Sequence, residues 1–155
     1  MRGVLRFAYL LAVVVWVGAI VCFSFVVAPT LFRTFSAAQA GAVVGAVLVP
    51  YYRLGRGAGM LALLGALLLG RGAVAPARWR AAACAHALGL AATVWAGSVV
   101  YPETQRVRAA LETEGRAPTS SAEFDRLHRR AVGLNGVALV TGVLGLGLAA
   151  AALRE

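Results

Sequence analysis

Two histidines are the side chains of this sequence best suited to acid–base or metal chemistry. His86 lies in "ACAHALG", within a long apolar run, where an ionisable group is by default a functional hypothesis. His128 lies in "RLHRR" near Asp125, where it could bond a carboxylate, a lipid phosphate or a loop. Neither histidine has metal-site spacing to another histidine, cysteine or carboxylate. The sequence therefore predicts no metal site and no catalytic residue, and His86 is either a cofactor ligand or a shallow histidine bonded to a neighbouring helix or headgroup.

A cluster of basic residues forms the second candidate site. All 15 basic residues are arginines, and seven basic side chains are predicted at one end of the molecule. We call this set the arginine face: Arg33, Arg53, Arg56, Arg106, Arg126, His128 and Arg129. It suits anionic lipid headgroups, a phosphorylated ligand or an acidic partner, and the alternative is ordinary charge flanking membrane helices. The formal charge of +9 does not indicate nucleic-acid binding, because the sequence contains no soluble basic domain.

Long apolar runs must position these side chains. Hydrophobic residues make up 61% of the 155-residue chain, and the mean hydropathy is +0.80. We predict an all-α integral membrane protein, a single domain over residues 1–155, because several runs reach the ~20 residues that a spanning helix needs. The four predicted helices cover about 7–28, 54–75, 81–100 and 121–153. The first resembles a signal peptide, but its apolar body exceeds the ~7 to 15 residues of such a segment, which favours a retained helix.

An internal repeat supports this division. Shifting the chain by 73 residues aligns "VVAPTLFR" with "VVYPETQR" and "YYRLGRGAGML" with "FDRLHRRAVGL". The predicted halves are residues 1–75 and 76–155, and each forms a helical hairpin. Two membrane crossings per half make the repeat parallel. The repeat also places "YYRLGR" at the membrane surface, where the second helix would begin.

Residues 36–49, "SAAQAGAVVGAVLV", precede that surface position. This apolar segment is too short to span the membrane before Pro50, which favours an interfacial or re-entrant helix before helix 2. A single long, kinked helix over residues 37–75 is the open alternative. In the second half, Ser120 and Glu123 predict a capping box at the start of helix 4.

Glycines and one amide predict close helix packing. Gly41 and Gly45, and likewise Gly55 and Gly59, are four residues apart, the spacing that lets helix backbones approach in lipid. Asn135 is expected to hydrogen-bond between helices. Packing within the chain is the ordinary interpretation, and a homo-oligomer through one of these glycine faces is the alternative. Membrane lipids are the other expected partner.

Orientation stays open from the sequence. Nine arginines lie at the end that carries the arginine face and six at the other, whereas the basic residues before the first helix favour a cytoplasmic N-terminus. The two criteria disagree. We expect a multi-pass location in the cell membrane, the inner membrane if the source is bacterial.

Several short motifs resemble a known family, the small four-helix membrane proteins called domain of unknown function 4149, which includes relatives of transmembrane protein 205. The residues that carry the resemblance are Trp16, Gly18, Ala28, Pro29, Phe32, Phe124, Leu127, His128 and Asn135. The resemblance implies a four-helix membrane protein and brings no established reaction. The favoured function is therefore non-enzymatic: a lipid-interacting, scaffolding or small-solute-handling bundle with no cofactor. The alternative is a membrane redox, haem- or metal-linked protein that uses His86.

Overall fold

The computed structural model describes residues 2–117 and 121–154 as four long helices joined by short connections. The helices are α1 (Arg2–Thr34), α2 (Ala37–Gly70), α3 (Pro76–Thr113) and α4 (Ala122–Leu153). Each is long and apolar enough to cross a membrane, and the described residues contain no strand. The prediction of an all-α fold with four candidate membrane spans is confirmed at this level.

The helix ends follow from local sequence. Ser36 and Gln39 form a reciprocal capping box that starts α2. Gly72 adopts a positive φ of 68° in the turn after α2, a conformation that glycine reaches without steric cost. The Ser121 side chain accepts a bond from the Phe124 amide and caps α4. The predicted cap at Ser120 lies outside the described residues.

The structure corrects the prediction for residues 36–49. The interfacial or re-entrant helix is wrong, because the chain is helical without interruption from Ala37 through Pro50 to Gly70. The capping box begins the helix early, and the Tyr101 hydroxyl of α3 donates to the Gly45 carbonyl at 2.8 Å, near the turn that Pro50 disturbs. Such help from a neighbouring helix lets membrane helices tolerate proline. The alternative of one long helix 2 is what the structure has, ending at Gly70 rather than near residue 75.

The other helices also extend beyond the predicted limits. The predicted bounds 7–28 and 81–100 mark only the apolar parts of α1 and α3, which continue to Thr34 and Thr113. The polar continuation of α3 carries paired charges on its surface, including Arg108 with Glu112 at 2.7 Å. Apolar length therefore underestimates helix length wherever a membrane helix continues into water.

Both odd-numbered helices contain a π-helical segment in front of a proline. The segment of α1 covers Phe23–Val27 and precedes Pro29, and the segment of α3 covers Ala96–Val100 and precedes Pro102. Proline lacks an N–H and its ring crowds the carbonyl four residues earlier, so the helix widens there. The two segments are separated by the same 73-residue offset as the sequence match.

Small residues lie at many helix contacts inside the bundle and large apolar residues lie on its surface, which is the opposite of the arrangement in a soluble protein. Alanines and glycines line many helix contacts, while large apolar side chains such as Phe7, Leu61 and Val140 are exposed. This arrangement suits lipid, where close backbone approach stabilises helix pairs and outward apolar surface carries no penalty. The largest fully buried side chains are Trp16, Tyr9, Ile20, His86 and Val13.

Candidate functional site

The arginine face draws residues from all four helices, and its two α2 members, Arg53 and Arg56, lie midway along that helix. Arg33 is exposed near the end of α1, and His128 and Arg129 are exposed in the first turns of α4. Arg106 bonds Glu103 at 3.2 Å, and Arg126 lies 3.7 Å from Glu123. Both ion pairs are largely exposed, so each contributes little to stability. They do neutralise part of the charge at this end.

Arg56 lies deeper than the sequence placed it. Its guanidinium packs against α3 at Gly97, where an added Cβ would be 2.7 Å from Nη2. Gly97 is within the apolar run that ends at Val100, three residues or ~4.5 Å further along the helix axis. Arg56 is half-buried, and its Nε is enclosed with no hydrogen-bond partner in the described structure. A charged group therefore enters the membrane-spanning part of the bundle.

A row of tyrosines lies beside this arginine. Tyr52 packs against the same glycine, and its ring is 5.2 Å from Tyr51 and 5.9 Å from Tyr101. Tyrosine is typical of the membrane–water interface, where the ring meets the acyl region and the hydroxyl meets water or headgroups. The row therefore marks the level of the interface near Arg56.

Asn135 connects three helices at this level. The Tyr51 hydroxyl of α2 donates to its Oδ1, and its Nδ2 donates to the Ser24 hydroxyl of α1 at 2.8 Å. Ser24 lies within the π-helical segment of α1. Each such bond between membrane helices contributes roughly 0.6 kcal/mol on average, so the amide acts mainly by fixing the relative positions of α1, α2 and α4.

His86 is in the centre of the bundle rather than near its surface. The side chain is fully buried, and Nε2 is 2.9 Å from the Tyr9 hydroxyl, which is also 3.5 Å from the Gly145 carbonyl. The imidazole ring is 6.2 Å from the Trp16 ring, and an added Cβ on Gly145 would be 2.8 Å from its Nδ1. The bond to Tyr9 of α1 fits the alternative of a histidine bonded to a neighbouring helix, and its depth in the membrane stays a prediction. Its ring edges face Tyr9 and Gly145, which leaves no open position for a haem or a metal ion beside Nε2.

The described residues also lack a metal-binding group. No three histidine, cysteine, aspartate or glutamate side chains come together within residues 2–117 and 121–154. Cys22 and Cys84 are both free and exposed.

The four predicted packing glycines contact other helices of the same chain. An added Cβ would be 3.1 Å from Arg108 at Gly41 and 3.2 Å from Gln105 at Gly45. The same Cβ would be 3.1 Å from Thr93 at Gly55 and 3.1 Å from Leu90 at Gly59. These glycines bring α2 against α3. A homo-oligomer stays a prediction.

Sequence reasoning missed the contacts of four residues that shape these sites: Tyr9, Trp16, Gly97 and Gly145. One signal was present for Tyr9, a polar aromatic residue inside the apolar run "FAYLLAV" and near the same end of the bundle as His86. The contribution of Gly97 and Gly145 depends on the side chain that each meets on another helix, and spacing within one helix does not contain that information.

Four long apolar helices with small-residue contacts and a charged, tyrosine-rich end define a multi-pass helical membrane protein. The chain belongs to the family described as domain of unknown function (DUF4149), which matches residues 11–113. The match covers most of α1, all of α2 and all of α3, including Arg53, Arg56 and His86, while Asn135 and His128 lie beyond it. No curated protein and no solved structure matches the chain.

Proposed function

We propose that this protein binds anionic lipid headgroups at its arginine face and performs no catalytic step of its own. One observation carries the proposal: Arg53 and Arg56 lie on the membrane-spanning helix α2 and have no carboxylate within ion-pairing distance among the described residues. Arg106 and Arg126, which lie nearer to water, each have a glutamate. Within the described residues, the two arginines of α2 therefore have no carboxylate as counter-charge.

The physical reason is the cost of charge in lipid. An arginine at mid-bilayer is expensive, and one near the interface lowers that cost by extending its guanidinium to phosphate oxygens. Arg53 is exposed on the outer surface of the bundle and is free to extend in this way. Arg56 is held between α2 and α3 beside Gly97, so it offers a fixed point of charge. A headgroup phosphate near both would accept charge-assisted hydrogen bonds.

The finer architecture is part of the same proposal. The halves 1–75 and 76–155 are parallel hairpin repeats, a reading supported by the matching π-helical segments at Phe23–Val27 and Ala96–Val100. We place the protein in the cell membrane, the inner membrane if its source is bacterial. The haem- or metal-linked alternative has less support, since Nε2 of His86 faces the Tyr9 hydroxyl and the ring is enclosed by Trp16 and Gly145, although Nδ1 has no hydrogen-bond partner among the described residues.

The test is lipid binding measured by native mass spectrometry in mild detergent, with phosphatidylglycerol and phosphatidylcholine titrated separately. Wild-type protein should prefer phosphatidylglycerol. Each arginine near the surface contributes about 1 kcal/mol toward an anionic lipid, so R53Q/R56Q should weaken binding at this site by about 2 kcal/mol, roughly 30-fold.

The matched control is R2Q/R6Q, which removes two arginines from the opposite end of the bundle. It should leave the phosphatidylglycerol preference of the arginine face unchanged. Equal affinity of the wild type for both lipids, or equal losses in the two variants, would contradict the proposal.

A further inference from the structure

We propose a second lipid site, at the turn between α2 and α3, that holds one anionic phospholipid at the end of the bundle opposite the arginine face. A cavity of about 370 Å³ opens there between the last turn of α2 and the first turns of α3. The residues that matter to the argument are Leu67, Gly70, Arg71, Trp79 and Arg80, all of which line it. The site is independent of the proposed function, because it shares no residue with the arginine face.

Backbone geometry creates the cavity. The two helices approach so closely at Gly70 that an added Cβ would be 2.9 Å from the Cβ of Trp79. The chain then reverses through Gly72, which has a positive φ of 68°, and re-enters helix at Pro76. The helices are fixed in contact below the turn, and their ends enclose a space above it.

No carboxylate of the described residues is within ion-pairing distance of the two arginines at this cavity. Arg71 and Arg80 are both exposed at its rim. The acidic residues of the described chain are Glu103, Glu112, Glu114, Glu123 and Asp125, and all of them lie in the last part of α3, just after it, or in the first turn of α4, at the other end of the bundle. The residue before α3, Ala75, supplies no side-chain cap, so the partial positive charge of that helix end adds to the two guanidiniums.

The rest of the lining is apolar. Trp79 is 3% exposed and forms the floor, and Leu67 is 47% exposed on the lipid side of α2. An acyl chain lying along Leu67 would cover this surface while its phosphate met Arg71 and Arg80. A soluble phosphate ester would satisfy the arginines and leave the apolar wall uncovered. The combination fits an anionic phospholipid, whose charge and chain match both parts of the cavity.

The test uses the fluorescence of Trp79 and lipids with brominated acyl chains, which quench tryptophan on contact. The measurements are made on the full chain with Trp95→Phe as background, because Trp95 is 59% exposed and would report general lipid contact, whereas Trp16 is fully buried. Brominated phosphatidylglycerol should quench at a roughly 30-fold lower mole fraction than brominated phosphatidylcholine. In R71Q/R80Q the two curves should coincide.

Three further variants make the result specific. R71K/R80K keeps the charge and should keep the preference, which separates loss of charge from loss of fold. R6Q/R154Q removes the same charge from the same end of the bundle, away from the cavity lining, and should also keep it. R53Q/R56Q should leave the Trp79 response unchanged, so failure of this site and failure of the arginine-face proposal are distinguishable.

Two results would overturn the proposal. The first is equal quenching by the two lipids in the wild type, or a preference that survives in R71Q/R80Q. The second is displacement of the brominated lipid by soluble glycerol phosphate at millimolar concentration, which would assign the cavity to a soluble phosphate ester instead.

Discussion

Gly145 leaves the space in the core that the His86 side chain occupies. Its α-carbon lies so close to His86 that an added Cβ would overlap Cε1 and be 2.8 Å from Nδ1. The imidazole is fully buried and held by Tyr9 at 2.9 Å, so it has little freedom to move aside. The histidine therefore depends on a glycine of α4 for its position in the core.

We expect Gly145→Ala to lower the free energy of unfolding by about 1 to 3 kcal/mol, the usual cost of overpacking a well-packed interior. The measurement is reversible unfolding in detergent followed by circular dichroism. Gly147→Ala is the matched control, because nothing lies within 4 Å of an added Cβ there and alanine favours the helix by about 1 kcal/mol. Equal stability of the two variants would show that the His86 environment is looser than the structure describes.

The sequence identified His86 as a notable residue and offered a bond to a neighbouring helix as one alternative, without naming the partner. The neighbours that enclose it, Tyr9 and Gly145, come from α1 and α4. Depth along a helix is readable from the sequence, whereas enclosure by other helices depends on packing that the sequence does not display.

At the scale of elements, α2 is where sequence reasoning and structure differ most. The repeat indicated that "YYRLGR" begins helix 2, by analogy with "FDRLHRR" before the last span. The capping box of Ser36 and Gln39 was readable as the start of a helix, but Pro50 was taken as a break. In lipid a proline is tolerated where neighbouring helices hold the chain, and here Tyr101 of α3 bonds the Gly45 carbonyl, one residue before the carbonyl that Pro50 leaves unbonded.

Continuity of α2 predicts a long distance between its two halves. Spin labels at Ala38→Cys and Met60→Cys, both exposed positions 22 residues apart, should be separated by ~33 Å along the helix axis. The distance is measured by double electron–electron resonance in a background where Cys22 and Cys84 are serine. A pair at Val132→Cys and Ala150→Cys on α4 serves as a straight-helix control, with ~27 Å expected.

A folded-back segment would give a different result for the first pair. If residues 37–49 lay along the membrane surface or re-entered it, the label at residue 38 would come well within 33 Å of residue 60, while the α4 pair kept its value. A distance that is short only in α2 would contradict the continuous helix.

At the scale of the whole molecule, the number of spans was the part of the fold most accessible from sequence. In lipid the backbone must form its hydrogen bonds within the protein, and a helix forms them within a single segment. A long apolar run is therefore expected to be helical. Three runs were evident, and the fourth, predicted at about 54–75, followed from the repeat. The sequence did not show which helices contact each other, because alanine and glycine occur along much of every span.

The two ends of the molecule differ in charge. The described acidic residues all lie at the arginine-face end, where the four glutamates pair with Arg106, Arg108, Arg116 and Arg126. The opposite end carries six arginines, which are Arg2, Arg6, Arg71, Arg78, Arg80 and Arg154. Within the described ranges this end has no acidic residue. The arginine-face end therefore has more arginines, whereas the opposite end has the higher net positive charge among the described residues. The positive-inside rule depends on the number of basic residues in short loops rather than on the net charge.

Four crossings place the α2–α3 turn and the connection after α3 on opposite sides of the membrane. Cysteines introduced at Val74, which is 81% exposed, and at Arg116 should therefore react with an impermeant maleimide from opposite sides of oriented vesicles. The background again lacks Cys22 and Cys84. Gly3→Cys is the control, since it precedes two crossings and should react from the same side as Val74→Cys. Labelling of Val74 and Arg116 from one side would mean that α3 does not cross, and the arginine face and the α2–α3 cavity would then meet the same leaflet.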